Sequence, residues 1–189
     1  MPKMTLLIID MLNDFFQQHP HLAEQRSSLV TSINNLVQAF RTHGQPFIWI
    51  RQEFAPDLSD AFLEMRKRNV CVTISGTEGC KLLAELDYLP TDTTLVKKRY
   101  SAFFGTNLDA LLKELQPELL VVAGINTHAC IRTTVVDAYQ RDYEVILATD
   151  CIASYDEAHH EMTKQYLDVA IAQLLPNAKI IQMLGVDAG

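Results

Sequence analysis

The sequence predicts an α/β domain in which a parallel sheet lies between two layers of helices. Short apolar runs alternate along the chain with segments whose apolar residues fall at helical spacing. The first run, at 5–10, shows no polar alternation, which is typical of a strand buried on both faces of a parallel sheet. Neither an internal repeat nor a low-complexity segment divides the chain, so residues 1–189 are predicted to form a single domain.

The first part of the chain indicates two strands and one long helix. The run TLLIID at 5–10 predicts the first strand, and PFIWIR at 46–51 predicts the second. Between them, residues 28–44 have the apolar spacing of a helix, with Gly44 as its stop signal. Residues 52–76 are less regular and predict a long excursion with one short helix in AFLEMRKR. Such excursions often carry function.

The middle of the chain predicts two more strands, each followed by a helix. Residues 79–86 indicate a short helix, and TTLVKK at 93–98 indicates the third strand. A helix is predicted at 106–115, and ELLVVAG at 118–124 predicts the fourth strand. The helix that follows is predicted at 128–142, so strands and helices continue to alternate.

The last part of the chain predicts a strand, a long helix and a closing strand. YEVILATD at 143–150 indicates the fifth strand, and AKIIQML at 178–184 the sixth. A helix is predicted at 154–175, where Ser154 and Glu157 have the spacing of a capping box. Alternation over the whole chain specifies parallel strands, because these need crossover helices between them.

Composition and charge exclude several classes of partner. The formal net charge is −7 and there is no run of Lys or Arg, which argues against nucleic acid or an anionic membrane surface. No apolar stretch reaches the roughly 20 residues that span a bilayer. The start, MPKMTLLIID, has too short an apolar core for a signal peptide. We therefore predict a cytoplasmic protein whose partner is a small-molecule substrate.

The four cysteines are expected to be free thiols. Cys71, Cys80, Cys130 and Cys151 form neither a CxxC pair nor a zinc-like pattern, and most free cysteines are small buried residues. The sequence also lacks GxSxG, a GxGxxG after the first strand, and HExxH. We therefore expect no metal and no cofactor.

Three chemically distinct groups follow the ends of the predicted strands. Asp10 ends the first strand, Lys97 and Lys98 end the third, and Cys130 follows the fourth after a short turn. Ligands bind at the carboxyl ends of open parallel sheets, so these groups are expected to converge there. Each alone has a structural explanation: a paired carboxylate, a solvated lysine or a core cysteine. Together they supply what a thiol hydrolase needs.

The chemistry assigns one role to each group. A thiolate is the attacking species, and the start of a helix favours it at Cys130. Asp10 can accept the thiol proton and pass it to the leaving group, while Lys97 keeps Asp10 ionised. Free backbone N–H groups at the helix start can receive the oxyanion, and water then hydrolyses a thioester.

The sequence resembles the isochorismatase-like cysteine hydrolases. The resemblance covers nearly the whole chain and rests on LLIIDMLNDFF (6–16), LVKKRYSAFFGTNLDALL (95–112) and LLVVAGINTHACIRTTVVDAYQRDYEVILATDCIAS (119–154). It implies a three-layer α/β/α sandwich with a mostly parallel six-stranded Rossmann-like sheet. It also implies a catalytic triad of Asp10, Lys97 and Cys130, since the K-x-R-Y-S pattern places the lysine at Lys97 rather than Lys98.

Further features of the site follow from the resemblance. It implies a non-proline cis peptide between Ile125 and Asn126, which turns the backbone amides of Asn126 and Cys130 toward one oxyanion. Members of the family are commonly dimers or tetramers, so a homo-oligomer is expected.

The positions at which this chain departs from the family pattern limit the reactions that are expected of it. Nicotinamidases carry an Asp-x-His metal motif after the second strand, where this chain has WIRQEFAP. Siderophore-type isochorismatases cleave a vinyl ether and lack the cysteine, whereas this chain has Cys130. The leading hypothesis is hydrolysis of a C–N bond in a small amide, ureide or N-carbamoyl compound. The alternatives are a vinyl-ether hydrolase with Asp10 as general acid, and a non-catalytic binding protein.

Candidate pocket residues come from the loops around these motifs. Phe15, Gln52, Phe54, Tyr100, Phe103 and Phe104 are expected to form an aromatic-walled site, although each could equally be a core residue. His128, two residues before the cysteine, can line the mouth or face solvent. Arg132 is expected to pair with a carboxylate of the protein or of a partner subunit.

Overall fold

The computed structural model describes residues 2–185, in which six strands form one parallel sheet. The strands are β1 (Met4–Ile9), β2 (Phe47–Gln52), β3 (Thr93–Lys97), β4 (Leu119–Ile125), β5 (Glu144–Ala153) and β6 (Gln173–Leu175). Their order across the sheet is β3-β2-β1-β4-β5-β6, and every neighbouring pair is parallel. The chain therefore starts at the centre of the sheet and winds outward in both directions.

Within residues 2–185, seven helices connect or follow the strands. They are α1 (Asn13–Gln18), α2 (Pro20–Thr42), α3 (Leu63–Arg68), α4 (Leu108–Leu115), α5 (Arg132–Tyr139), α6 (Glu157–Asp168) and α7 (Asn177–Gly185). A 3₁₀ turn lies at Glu78–Cys80, and a π-helical turn at Thr127–Ile131 leads into α5. None of the described helices is both long and apolar enough to cross a membrane.

The two faces of the sheet belong to two separate cores. In β1, Met4, Leu6 and Ile8 face a core shared with α2 and α7, whereas Leu7 and Ile9 face a core shared with α4, α5 and α6. Every residue of β1 is buried, because helices cover both faces of the central strand. The predicted three-layer α/β/α sandwich is confirmed.

The predicted sixth strand at 178–184 is wrong, because these residues form α7. Ile180 and Leu184 are buried four residues apart, which is the spacing of one helical face. The true edge strand is the three-residue β6, inside the segment that was predicted to extend the preceding helix to residue 175. So short a strand gives too little periodicity to identify.

Other boundaries also differ from prediction. The helix predicted at 28–44 begins earlier, at Pro20. Its first two turns bury only Leu22, so the apolar spacing there was too weak to predict them. The short helix α1 was not predicted. The helix predicted at 79–86 is reduced to the 3₁₀ turn. Asp156 rather than Ser154 caps α6, accepting a hydrogen bond from the His159 backbone N–H at 2.9 Å. The excursion contains one short helix, α3, as predicted.

Candidate active site

The carboxyl ends of β1, β3 and β4 bring three of the predicted residues together. Asp10 directly follows β1, Lys97 is the last residue of β3, and Cys130 lies in the π-helical turn after β4. Asp10 has a φ of +58°, so the chain leaves the strand in a left-handed conformation. Its backbone N–H donates to the Ile50 carbonyl at 2.8 Å, which continues the sheet up to the site.

The close packing of β1 against β4 at this end requires Gly124. Its φ is +113°, and a Cβ atom at this position would lie 2.0 Å from the Ile9 carbonyl oxygen. The register between β4 and β5 also shifts here, between Val122 and Gly124. The glycine therefore lets the backbone that leads to Cys130 pass directly beside Asp10.

Lys97 lies between Asp10 and Cys130 and contacts both. Its Nζ is 2.7 Å from Asp10 Oδ2 and 3.3 Å from Cys130 Sγ, and it donates to the Arg99 carbonyl at 3.1 Å. The side chains of Lys97 and Asp10 are 0% and 1% exposed. Burial alone would lower the pKa of Lys97, but its contacts with Asp10 and with the sulfur of Cys130 raise it above its ordinary value, so the ammonium form persists.

The Asp10 carboxylate is oriented by one hydrogen bond and has capacity for another. Oδ1 accepts a hydrogen bond from the Gln52 backbone N–H at 2.7 Å. Oδ2 lies close to Lys97 Nζ but makes no well-directed hydrogen bond. This oxygen is therefore free to accept a proton from the neighbouring thiol.

The environment of Cys130 favours a protonated thiol. Its pKa is raised to about 12, mainly by burial and also by Asp10, while Lys97 acts in the opposite direction. The expected helix-start thiolate is thus not favoured in the free protein, because Cys130 lies in a π-helical turn and is only 5% exposed. A reaction at this sulfur would need an acceptor for its proton, and the carboxylate of Asp10 is one of the groups that influence the thiol.

The peptide bond between Ile125 and Asn126 is cis, as the resemblance implied. Asn126 is buried and lines the cavity above Cys130. Its side-chain Oδ1 accepts a hydrogen bond from the Tyr155 backbone N–H at 3.3 Å, which ties the turn after β4 to the start of α6.

Cys130 opens into a cavity of about 1460 Å³. Four of the predicted pocket residues line it, namely Phe15, Gln52, Tyr100 and His128, together with Asn126 of the predicted oxyanion hole. Phe54 and Phe103 do not. Phe54 belongs to a small core with Leu58 under the excursion, and Phe103 packs in the core beneath Arg141, so both aromatic rings are used for folding. Phe104 is exposed and also lies outside the cavity lining.

Sequence reasoning missed much of the cavity wall. Phe62 packs against Tyr100 with ring centroids 4.7 Å apart, and the ring of Tyr155 stacks on His19 at 4.3 Å. His128 is fixed by a 2.6 Å hydrogen bond between Nδ1 and Ser154 Oγ. Phe62 lies in the irregular excursion, just before α3. Tyr155 comes two residues after β5, which extends to Ala153 and so three residues beyond its predicted end at 150.

The described residues contain no group of three or more His, Cys, Asp or Glu side chains arranged to hold a metal ion. His19 lines the cavity but stacks on Tyr155, and burial lowers its pKa below the ordinary value. Around Cys130 the structure instead offers a thiol, a carboxylate, an ammonium group and polar side chains. This set supports acid–base and nucleophilic chemistry.

The isochorismatase domain model matches residues 4–178. The uncharacterized isochorismatase family protein YaaI of Bacillus subtilis is 28% identical, over 94% of this chain and 96% of its own length. A probable inactive nicotinamidase of Arabidopsis thaliana is 35% identical, over 87% of both chains. Ureidoacrylate amidohydrolase RutB of Methylorubrum extorquens is 29% identical, over 77% of this chain and 68% of its own.

Solved structures show the same family similarity as the sequence comparisons. An isochorismatase family protein from Desulfovibrio vulgaris superposes with a TM-score of 0.86 at 27% identity, covering 98% of this chain and 100% of its own. N-carbamoylsarcosine amidase from Thermoplasma acidophilum has a TM-score of 0.78 at 25% identity, covering 99% of each chain. The similarity therefore extends over the whole fold that carries the site.

Proposed function

Since this chain belongs to the isochorismatase family, a family of hydrolases, we propose that it is a cysteine hydrolase cleaving a C–N bond of a small amide, ureide or N-carbamoyl compound. The observation that carries the proposal is the fully buried Lys97, whose ammonium group contacts both Asp10 and Cys130. Burying two charged groups is costly, and a protein keeps such a pair where it serves a purpose.

In the first half of the reaction, Cys130 Sγ attacks the substrate carbonyl carbon and Asp10 accepts the thiol proton. The nearby ammonium of Lys97 stabilises the charge that develops on sulfur and on Asp10. The tetrahedral intermediate collapses when the C–N bond breaks, and Asp10 passes its proton to the leaving nitrogen. The products of this half are an amine or ammonia and an acylated Cys130, which is a thioester for an amide substrate and a thiocarbamate for a ureide or N-carbamoyl compound.

In the second half, water attacks the carbonyl of the acylated Cys130. Asp10, ionised again, accepts a proton from the water, and the C–S bond breaks as the acid forms. The proton returns to the Cys130 sulfur, which regenerates the protonated thiol that the buried environment favours. The backbone amides of Asn126 and Cys130 are proposed to bind the oxyanion in both halves.

The relatives support a C–N bond as the target. By their names, RutB is an amidohydrolase that acts on ureidoacrylate, and the Thermoplasma acidophilum structure is an amidase that acts on N-carbamoylsarcosine. The Arabidopsis thaliana relative, described as probably inactive, keeps a non-catalytic role as the second candidate. The presence of Asp10, Lys97 and Cys130 in contact favours the enzyme.

The reaction class is tested with kcat/KM values for Asp10→Asn, Cys130→Ala and the double variant, after a panel of amides, ureides and carbamoyl compounds has given a substrate. We expect each single variant to lose at least roughly 10²–10⁴ of activity, and the double variant to be little worse, because the residues act as one unit. Cys80→Ala, a buried cysteine outside the cavity, is the matched control. An active Cys130→Ala beside an inactive Asp10→Asn would instead favour the vinyl-ether hydrolase.

A further inference from the structure

Arg132 differs from every other arginine of the protein. All eight arginines lie within the described residues, and seven use their guanidinium groups in ion pairs or hydrogen bonds. Five pair with carboxylates and two donate to backbone carbonyls: Arg26, Arg41, Arg51, Arg68 and Arg141 are the former, and Arg66 and Arg99 the latter. The structure shows neither kind of contact for Arg132 within residues 2–185. The expected pairing of Arg132 with a carboxylate of its own chain is therefore not found there.

A shortage of carboxylates does not explain this. The chain has 23 acidic residues and 16 Lys and Arg residues together. Arg132 lies on the first turn of α5, two residues after Cys130, and lines the same cavity. A cation that finds no internal partner in an acidic protein, and that faces the cavity of the candidate site, is available to a ligand.

The guanidinium group of Arg132 is also held in place. Its Cζ lies 4.5 Å from the ring centroid of Tyr166, which lines the cavity as well. Stacking on an aromatic face leaves the edge of the guanidinium group, with its N–H donors, free to bind a carboxylate with two parallel hydrogen bonds.

The other charged residues of the cavity wall lie near partners of their own. Glu64 pairs with Arg68 at 3.4 Å, and Asp137 lies 3.8 Å from Arg141, which it shares with Asp109. Lys97 is buried at the base of the site and is occupied by Asp10. Among the described lining residues, Arg132 is thus the one guanidinium or ammonium group that remains to attract an anion.

The deep end of the cavity has a different character. Gln52 is 5% exposed and lines the cavity beside Asp10. Its backbone N–H is used by Asp10, but its side-chain amide makes no hydrogen bond to any described residue. This amide belongs to the cavity lining and leaves a donor and an acceptor for a ligand. It matches a neutral group with both a carbonyl and an N–H, such as an amide or a ureido group.

We propose that the substrate is a carboxylic acid, with its amide or ureido group at Gln52 and Cys130 and its carboxylate on Arg132. Arg132 is then the residue that selects anionic substrates. This inference rests on the proposed function, since it assumes that the C–N bond is cleaved at Cys130. The inference adds that the substrate must carry a negative charge, which hydrolysis of a C–N bond does not require.

The test uses matched substrates that differ only in charge, namely N-carbamoyl amino acids and their uncharged carboxamides. For the wild type we expect a higher kcat/KM with the acids. Arg132→Gln should lower kcat/KM for the acids by about tenfold to one-hundredfold, mainly through KM, and leave the carboxamides within about twofold. Arg132→Lys should restore part of the loss, because it keeps the charge but not the two-pronged geometry. Arg66→Gln, an arginine outside the cavity, is the control.

The outcomes separate the two proposals. If the carboxamides are hydrolysed as well as the acids, or if Arg132→Gln affects both series equally, the inference about Arg132 is overturned while the cysteine hydrolase stands. If the wild type hydrolyses neither these series nor any other amide or ureide in the panel, both are overturned.

Discussion

At the scale of single residues, Lys97 organises the candidate site because its ammonium group lies against three different partners. It reaches Asp10, Cys130 and the Arg99 carbonyl, so its position is fixed on three sides. The motif pattern predicted Asp10, Lys97 and Cys130, and the fold places them in contact. Their catalytic roles remain our proposal. The third partner was not predictable, since a backbone carbonyl carries no sequence signal.

The protonation state of Cys130 leads to a prediction about the free protein. Burial raises its pKa to about 12, so near neutral pH the sulfur is a protonated thiol. Only a thiolate reacts rapidly with iodoacetamide. We therefore expect the exposed Cys71 to be alkylated at least about ten times faster than Cys130, as measured by timed quenching and peptide mapping. Cys130 labelled first would show that its proton has already left the sulfur before substrate binds.

The same shift fixes the direction of one pH effect on stability. The pKa of the Cys130 thiol is higher in the folded protein than its ordinary value of about 8.5. The thiol therefore makes its full contribution to the free energy of unfolding when the pH is below this ordinary pKa. This contribution is lost as pH rises toward about 12, because the unfolded chain then ionises more readily.

At the scale of the elements, the sequence predicted the strands with long apolar runs and missed the elements that are too short to show a pattern. The buried strands β1 and β4 are continuous apolar runs, and both were found within about one residue of their bounds. β6 has only three residues, and the apolar residues of α7 fit a strand or a helix equally well. Much of the cavity wall comes from the irregular excursion and from the turn after β5, where Phe62 and Tyr155 escaped prediction. Phe54 and Phe103 were misassigned because an aromatic residue in a loop can belong either to a pocket or to a core.

Gly124 allows a test of how β1 and β4 meet below the site. Gly124→Ala would place a Cβ atom 2.0 Å from a backbone oxygen that cannot move without disturbing the sheet. We expect it to lower the free energy of unfolding by about 2–4 kcal/mol in urea titrations. Gly105→Ala is the control, because Gly105 has a φ of +67° with open space around it, and should cost only about 1 kcal/mol. Equal losses would mean that the close approach is not what requires glycine.

At the scale of the whole molecule, two features of the surface bear on the site. Met162, Tyr166 and Val169 are exposed apolar side chains on or just after α6, and Tyr166 borders the cavity. They are compatible with the homo-oligomer that the sequence predicts, which remains a proposal. The candidate site is reached from the face where the parallel strands end, as expected for an open sheet that winds outward from its centre.

The assignment of Cys130 as the nucleophile can be tested by the intact mass of the protein, acid-quenched during turnover. We expect a species heavier by the acyl group of the substrate, with the added mass on the peptide that contains Cys130. We also expect that Cys130→Ala shows no such species, whereas Cys80→Ala still does. Turnover without any acylated protein, or an acyl group attached elsewhere than Cys130, would contradict the assignment of Cys130 as the nucleophile.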